Sequence, residues 1–399
     1  MRSDLQAEMI RQDDSMLGSI QLSDYHVSRD TGFLLENPQE YLPEYFEPWN
    51  RLAKCMPDLV SSHSMREAVK EMPLLDYSKL AGYRQKRLAH LQLVLITSGY
   101  LWQEGDAGVV QRLPECVAVP LWHVSNILGL KPVIGHPDVC LANWKYTKDQ
   151  GEIEVLYTVP GGSDSVWFLK VTCFVEMASA KGLQAVQNVL DGVLEDDNVK
   201  VTSGLSGLTE MVGNMQSAMK RMHEHLSSDT FYNTVRPYLG GWGGPSSPLP
   251  DGIIFEGVSE EPVQMIGASA AQSTTLQLMD LLLGVTHSPD KQAFLDEMRN
   301  YMPPAHRQLL LDVMNMPRKL TCMVAVSEDT DLTTAYNKCL TTLTQFRSYH
   351  IQVVTKYVVS ASKKGNRENS HLANKGTGGT DLLPFLKALR DDTKKKVNL

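Results

Sequence analysis

His350 is the residue in this sequence best placed to do chemistry. It falls on a stripe made of Ala335, Cys339, Leu343, Phe346, His350, Val354 and Tyr357, whose members recur at steps of three or four residues. That spacing is one face of a helix, and its apolar character points the face into a core. A buried imidazole with unpaired nitrogens is costly, so His350 needs a partner. Another side chain is one solution, and on this helix alone it ranks first. A metal is the other, and a haem iron is the metal that best suits a lone imidazole. Arg347, three residues earlier, lies on the neighbouring surface and can reach a carboxylate at the edge of such a pocket.

Other chemistry-bearing patterns are weaker. His223-Glu224-His225 places two histidines two residues apart, which on a helix diverge, so a solvated helix end is the simpler reading. Gly267-Ala268-Ser269-Ala270-Ala271 lacks the last glycine and the preceding strand of a nucleophile elbow. Gly376-Thr377-Gly378-Gly379 lacks the lysine and the spacing of a P-loop. Leu75-Asp76-Tyr77-Ser78-Lys79-Leu80 fits a short phosphotyrosine pattern that arises often by chance. A signalling scaffold working through Tyr77 would need that ring exposed.

The elements that must position these residues read as mainly helical. Residues 1–165 look like a small, mostly helical domain of short helices broken by prolines, with a longer helix at 80–101 and a partly alternating strand at 152–159. Residues 166–399 look like a larger all-helical domain. Helices are predicted at 165–190, 204–227, 268–285, 291–301 and 305–316, then the His350 helix, and a last one at 381–390. A Gly/Pro-rich connection spans 237–252, and residues 360–380 have the composition of a mobile loop. With 399 residues the chain is long enough for such a pair of domains.

Composition narrows the function classes. The formal net charge of -8 argues against a broad nucleic-acid footprint. No apolar run is long enough to span a membrane, and the first thirty residues resemble neither a signal peptide nor a presequence, so a cytoplasmic protein is expected. The six cysteines show no Cys-x-x-Cys pattern, which predicts free thiols and no structural zinc.

Several stretches in one order carry a resemblance: Leu141-Ala142-Asn143-Trp144, Tyr301-Met302-Pro303-Pro304-Ala305-His306-Arg307, Arg347-Ser348-Tyr349-His350 with Gln352 to Tyr357, and Lys375-Gly376-Thr377-Gly378-Gly379-Thr380-Asp381. On these the chain resembles the indoleamine 2,3-dioxygenases over nearly its whole length. The resemblance implies a helical large domain that holds haem b, one per chain, capped by a smaller domain. It implies O2 insertion across the indole C2=C3 bond of L-tryptophan or a related indoleamine, giving N-formylkynurenine, the first step of the kynurenine pathway. Dioxygen is the co-substrate, a reductase or small reductant keeps the iron ferrous, and nothing demands more than a monomer.

The same resemblance assigns roles by position. His350 is similar to the proximal iron ligand, and Arg347 with Asp280 to a proximal pair that braces a propionate. Phe231 and Arg236 resemble the distal catalytic residues, the ring packing on the indole and the guanidinium holding the amino-acid carboxylate. Thr377 resembles a second carboxylate contact, Phe168 and Thr172 the wall of the indole pocket, and Ser269 and Ala270 the distal edge of the haem. His136 and Thr172 stand where the best-known mammalian enzyme has tyrosine and serine, and Ala268 replaces a glycine. His136 therefore joins the substrate pocket, with a structural hydrogen bond its simplest role. The main rival is a haem oxygen carrier, because some molluscan myoglobins resemble this family. Retention of Arg236 and Thr377 favours the enzyme, since an oxygen store needs no carboxylate clamp.

Overall fold

The computed structural model describes residues 19–147, 152–363, 376–377 and 381–397. The fold is mainly helical, as the sequence predicts. Its principal helices are α1 (Glu47–Ser61), α2 (Met65–Lys70), α3 (Gly82–Trp102), α4 (Glu115–Leu128), α5 (Gly162–Ala180), α6 (Leu183–Glu195) and α7 (Asn198–Lys220). They continue as α8 (Thr274–Leu283), α9 (Pro289–Arg299), α10 (Pro304–Met314), α11 (Leu320–Val326), α12 (Thr330–Val354) and α13 (Leu382–Lys395). Strands are two-residue pieces: β1 (Arg112–Leu113) runs parallel to β4 (Ile254–Phe255), and β2 (Lys145–Tyr146) antiparallel to β3 (Ile153–Glu154). Among the described residues no helix is long and apolar enough to cross a membrane. All six cysteines are free thiols; Cys140, Cys173 and Cys339 are buried, whereas Cys322 is exposed.

Two groups of helices share one apolar core. In the first, α3 packs between α1 and α4; in the second, α7 packs against α5, α6 and α12, and α12 also carries α13. Helix α3 is the spine of the first group, buried at every residue from Arg87 to Trp102. Its polar side chains must therefore find partners inside the protein. Gln92 donates to Asn50 Oδ1 at 2.8 Å and to the Tyr157 hydroxyl at 2.7 Å. Ser98 donates to the Tyr238 carbonyl at 2.7 Å. His90 Nδ1 meets Asp138 Oδ1 at 2.6 Å and its Nε2 meets the Lys131 carbonyl at 3.2 Å, which fastens the 131–138 segment onto the spine.

Helix α12 starts where Asp329 accepts hydrogen bonds from the backbone N–H groups of Asp331 and Leu332. The stripe from Ala335 to Tyr357 faces inward as its spacing predicts, with every member buried except His350, which borders a cavity. Asp197 caps α7 in the same way through the N–H of Lys200, so this helix begins at Asn198, before the start the sequence pattern suggests at 204.

Other expectations are corrected. The single helix expected at 165–190 is two, α5 and α6, because the chain turns at Gly182 where a side chain would collide with Met211 (2.4 Å to Sδ). That turn lets both helices lie on α7. The strand expected at 152–159 pairs only at Ile153–Glu154. Beyond it the Asn143 side chain replaces a strand partner, donating to the Tyr157 carbonyl and accepting from its N–H, both at 2.8 Å. Pro57 does not break α1, whose fifteen residues run through it. The last helix reaches Lys395, beyond the expected 390. Of the loop expected at 360–380, residues 360–363 continue the helical path, 376–377 are ordered against Ala268, and 364–375 and 378–380 lie outside the described residues.

Two glycines decide how close two strands of chain pass under the cavity. The segments around Leu239–Trp242 and Met265–Ala268 exchange backbone hydrogen bonds, Trp242 with Met265 and Ala268 to Leu239. A Cβ on Gly267 would stand 2.3 Å from the Gly241 nitrogen and 2.4 Å from the Leu239 carbonyl oxygen. Backbone atoms cannot move aside as a side-chain tip can, so Gly267→Ala should cost about 3 kcal/mol. Urea unfolding measures this; a loss under about 1 kcal/mol would disprove the crossing.

Candidate functional site

One cavity opens between α5, α7, α12 and α13 and the 268–276 segment, with a volume of about 280 Å³. His136, Phe168, Thr172, Phe231, Arg236, Ser269, Ala270, His350 and Thr377, named from the sequence, all line it. Arg347 and Asp280 do not; they stand behind the His350 wall.

Three stretches of its wall are wide, π-type turns: Pro137–Leu141, Phe231–Val235 and Thr355–Val359. Such turns carry an extra residue per turn and push side chains out of helical register. Here they bring Val139, Cys140, Phe231, Tyr357 and Val358 onto the cavity surface. Gly161 allows α5 to start against the second turn: its φ is +124°, and a Cβ there would meet Val235 Cγ2 at 2.6 Å.

His350 is enclosed by the fold yet touches the cavity. Among the described residues neither ring nitrogen has a hydrogen-bond partner. Burial, reinforced by the charge of Arg347, pushes its pKa down to about 4. The ring is therefore neutral at neutral pH, the form that binds a metal. Phe346, Val353 and Val354 surround it with apolar surface. Behind it, both carboxylate oxygens of Asp280 accept from Arg347 Nη2, at 2.7 and 2.6 Å. Arg347 Nη1 also donates to the Leu389 carbonyl at 2.9 Å and to the Thr393 hydroxyl. His287 lies between Asp280 (3.3 Å) and Asp392 (3.2 Å). Burial works against the charge on Asp280, but Arg347 and His287 outweigh it and hold its carboxyl below the usual range. The network ties α8, α12 and α13 together.

Away from His350, the rings of Phe168 and Phe231 pack at 4.7 Å and 44°. Arg236, only 2% exposed, follows on the next turn, its guanidinium 5.4 Å from the Tyr232 ring centre. Burial pulls its pKa down to about 10, with Tyr232 pulling the other way, so it stays cationic at neutral pH. Thr377 donates to the Ala268 carbonyl, and Thr172 to the Leu169 carbonyl at 2.7 Å. Ser269 accepts from the Ala271 N–H and caps the short turn Ala270–Gln272, which closes the nucleophile reading for it.

The sequence reading missed Glu176. It lines the cavity and is 3% exposed, and its oxygens accept from Ser273 (2.6 Å), Thr275 (2.8 Å) and His136 Nε2 (3.1 Å). The available signal was its position four residues past Thr172 on the same face of an apolar helix. Burial opposes its charge, and His136 and the two hydroxyls overcome this to hold the carboxyl below its ordinary 4.5. His136 moves the other way: burial would lower it, but Cys140 and Glu176 raise it above 6.5. Burial also lifts the Cys140 thiol far above its usual value, so at neutral pH Glu176 is the charge that acts on His136.

Two motifs do not join the site. Tyr77 is half-buried and stacks on His123 at 4.8 Å, unlike the exposed ring a phosphotyrosine scaffold needs. His223 is not a purely solvated helix end: its Nδ1 meets the Tyr357 hydroxyl at 2.9 Å, though no metal-binding cluster exists among the described residues.

A helical fold closed around an apolar cavity, with a neutral imidazole in its wall that is unpaired among the described residues, has the architecture of a haem-binding protein. The model of the family indoleamine 2,3-dioxygenase matches residues 21–396. A myoglobin of Haliotis madaka is 62% identical, over 95% of this chain and 99% of its own. A myoglobin of Haliotis diversicolor is 63% identical over the same shares. Indoleamine 2,3-dioxygenase 2 of Homo sapiens is 37% identical, over 94% of this chain and 95% of its own. The chain belongs to the indoleamine 2,3-dioxygenase family, and its cofactor is haem b with its iron. The residues present fit that group: an imidazole that is neutral and unpartnered among the described residues, set in a cavity with mostly apolar walls.

Two outcomes follow for the buried charges. Asp280→Ala strands Arg347 and should cost about 3–5 kcal/mol in urea unfolding; a loss below about 1 kcal/mol would refute the network. The second concerns pH. The Glu176 contribution is present above pH 4.5 and lost as pH falls through its lowered value; the His136 contribution is present below pH 6.5 and lost as pH rises through its raised value. Glu176→Gln should therefore flatten the stability profile on both limbs, and unchanged limbs would contradict the pairing.

Proposed function

We propose that this chain is a haem-dependent dioxygenase that opens the indole ring of L-tryptophan or a related indoleamine, giving N-formylkynurenine from L-tryptophan. The supporting observation is one cavity that holds the His350 imidazole and, elsewhere on its wall, the buried Arg236 guanidinium beside the Phe168–Phe231 pair. His350 would hold the iron of the haem, with Arg347 and Asp280 bracing its helix from behind. The haem, when bound, supplies the iron chemistry that activates dioxygen.

The remaining work falls to the chain. Arg236 pairs with the amino-acid carboxylate, and its low exposure strengthens that pairing. Phe231 and Phe168 offer aromatic faces on which the indole packs, fixing its C2=C3 bond for reaction. Thr377, on the segment bonded to Ala268, closes the carboxylate end, and Ser269 and Ala270 form the wall beside it. No general base is required of the wall: its one carboxylate among the described residues, Glu176, is already occupied by three donors. A small domain over residues 1–165, a monomeric state, a cytoplasmic location and an external reductant complete this reading.

A second reading is a haem oxygen carrier, favoured by the 62% and 63% identities with the two abalone myoglobins. One experiment separates the two. Haem-loaded protein is reduced in air with L-tryptophan, and N-formylkynurenine is followed by absorbance. Product accumulation supports the dioxygenase; a stable oxy spectrum without product supports the carrier. For the enzyme, Arg236→Ala should lower kcat/KM by about a hundredfold while the haem spectrum persists. His350→Ala should lose haem or its normal spectrum. Normal turnover in either variant would sink the assignment.

A further inference from the structure

The cavity has a second polar pole that the reading above leaves unused. His136 is fixed twice: its backbone N–H donates to Gln272 Oε1 at 2.9 Å, and its Nε2 to Glu176 at 3.1 Å. Its Nδ1 has no partner among the described residues and is not sealed from solvent, and the side chain, 12% exposed, lines the cavity. A carboxylate therefore orients an imidazole whose second nitrogen remains available beside Val139, Cys140 and Thr172. Thr172 does not compete, because its hydroxyl hydrogen goes to Leu169.

Two tracks measure how this pole lies from the first. Phe168, Thr172 and Glu176 follow at four-residue steps along α5, which separates the ends by about 12 Å at 1.5 Å per residue. In parallel, the 268–273 segment accepts from Thr377 at Ala268 and binds Glu176 through Ser273. An aromatic amino acid anchored at Arg236, with its ring on the Phe168–Phe231 pair, thus extends its far edge toward His136.

We propose that the His136–Glu176 pair selects indole amino acids carrying a hydroxyl on the benzenoid ring, which His136 Nδ1 meets with a hydrogen bond. This rests on the dioxygenase reading and names its substrate class. The energetic logic is asymmetric. A plain indole would desolvate Nδ1 and leave it unpaired, whereas a hydroxylated one replaces the lost water. At neutral pH the charge of Glu176 keeps the ring protonated, so Nδ1 donates and the hydroxyl oxygen accepts.

The test is a titration of ferric, haem-loaded protein with L-tryptophan and with 5-hydroxy-L-tryptophan, followed by the Soret shift. Wild type should bind the hydroxylated ligand at least about tenfold more tightly. His136→Gln keeps an amide donor for Glu176 while removing Nδ1, and its affinity ratio should fall to near one; His136→Phe should behave alike. Thermal melts and haem content establish that each variant folds and loads. Equal affinities in wild type, or a preference that survives in His136→Gln, would overturn the proposal and leave the dioxygenase reading intact. A lowered haem content in His136→Gln, with an unchanged ratio in the fraction that stays loaded, would also overturn it, assigning the residue to the prosthetic group. If neither ligand shifts the spectrum, this proposal and the dioxygenase reading fail together.

Discussion

The structure depends on keeping one imidazole neutral, enclosed and unpaired among the described residues, at the wall of an apolar cavity. Holding His350 unpaired in an apolar wall costs free energy that a core packed for stability alone would avoid. The fold holds it there through the charges behind it. Arg347 is on the same helix, one turn back, and its guanidinium is consumed by Asp280, Leu389 and Thr393. Asp280 in turn meets His287, which meets Asp392 on α13. A positive charge close to His350 opposes its protonation, and carboxylates placed behind that charge keep it from being stranded.

The rest of the wall shows how a helical fold makes a cavity without losing its core. Regular helices present side chains at fixed angles, which close-pack and leave little space. Here three π-type turns interrupt that regularity, and all three contribute to the cavity surface. Glycines permit the contacts that anchor these turns: Gly161 lets α5 begin against Val235, and Gly241 and Gly267 let two backbone segments cross at hydrogen-bonding distance. The crossing fixes the Arg236 turn relative to the Ser269 segment, so the guanidinium and the loop that receives Thr377 share one support.

The polar groups of the cavity fall into two poles with aromatic and aliphatic surface between them. The Arg236 pole is a single cation with an aromatic neighbour. The His136 pole is a carboxylate with three donors, one of them an imidazole that still has a nitrogen to give. Both belong to a chain that is similar over most of its length to two proteins named myoglobin and to one named indoleamine 2,3-dioxygenase 2. Fold alone therefore does not decide function here; the groups around the cavity must.

The sequence alone determined the helical class, the inward face of α12 and the place of His350 on it, because a 3.6-residue period is a local property that survives any tertiary arrangement. It also carried the motifs that assign the family, and through them nine of the cavity's lining residues. It placed Glu176 on the Thr172 face but could not give its role, since a lone carboxylate on an apolar helix is interpretable only once Ser273 and Thr275 arrive from a hundred residues away. Nor could it show that 165–190 breaks at Gly182 or that Asn143 stands in for a strand partner of Tyr157, both consequences of neighbours distant in sequence. Only the tertiary structure decided that Arg347 spends its donors on Asp280, Leu389 and Thr393 behind His350, because pairing between charges depends on distance through space, which spacing along the chain does not encode.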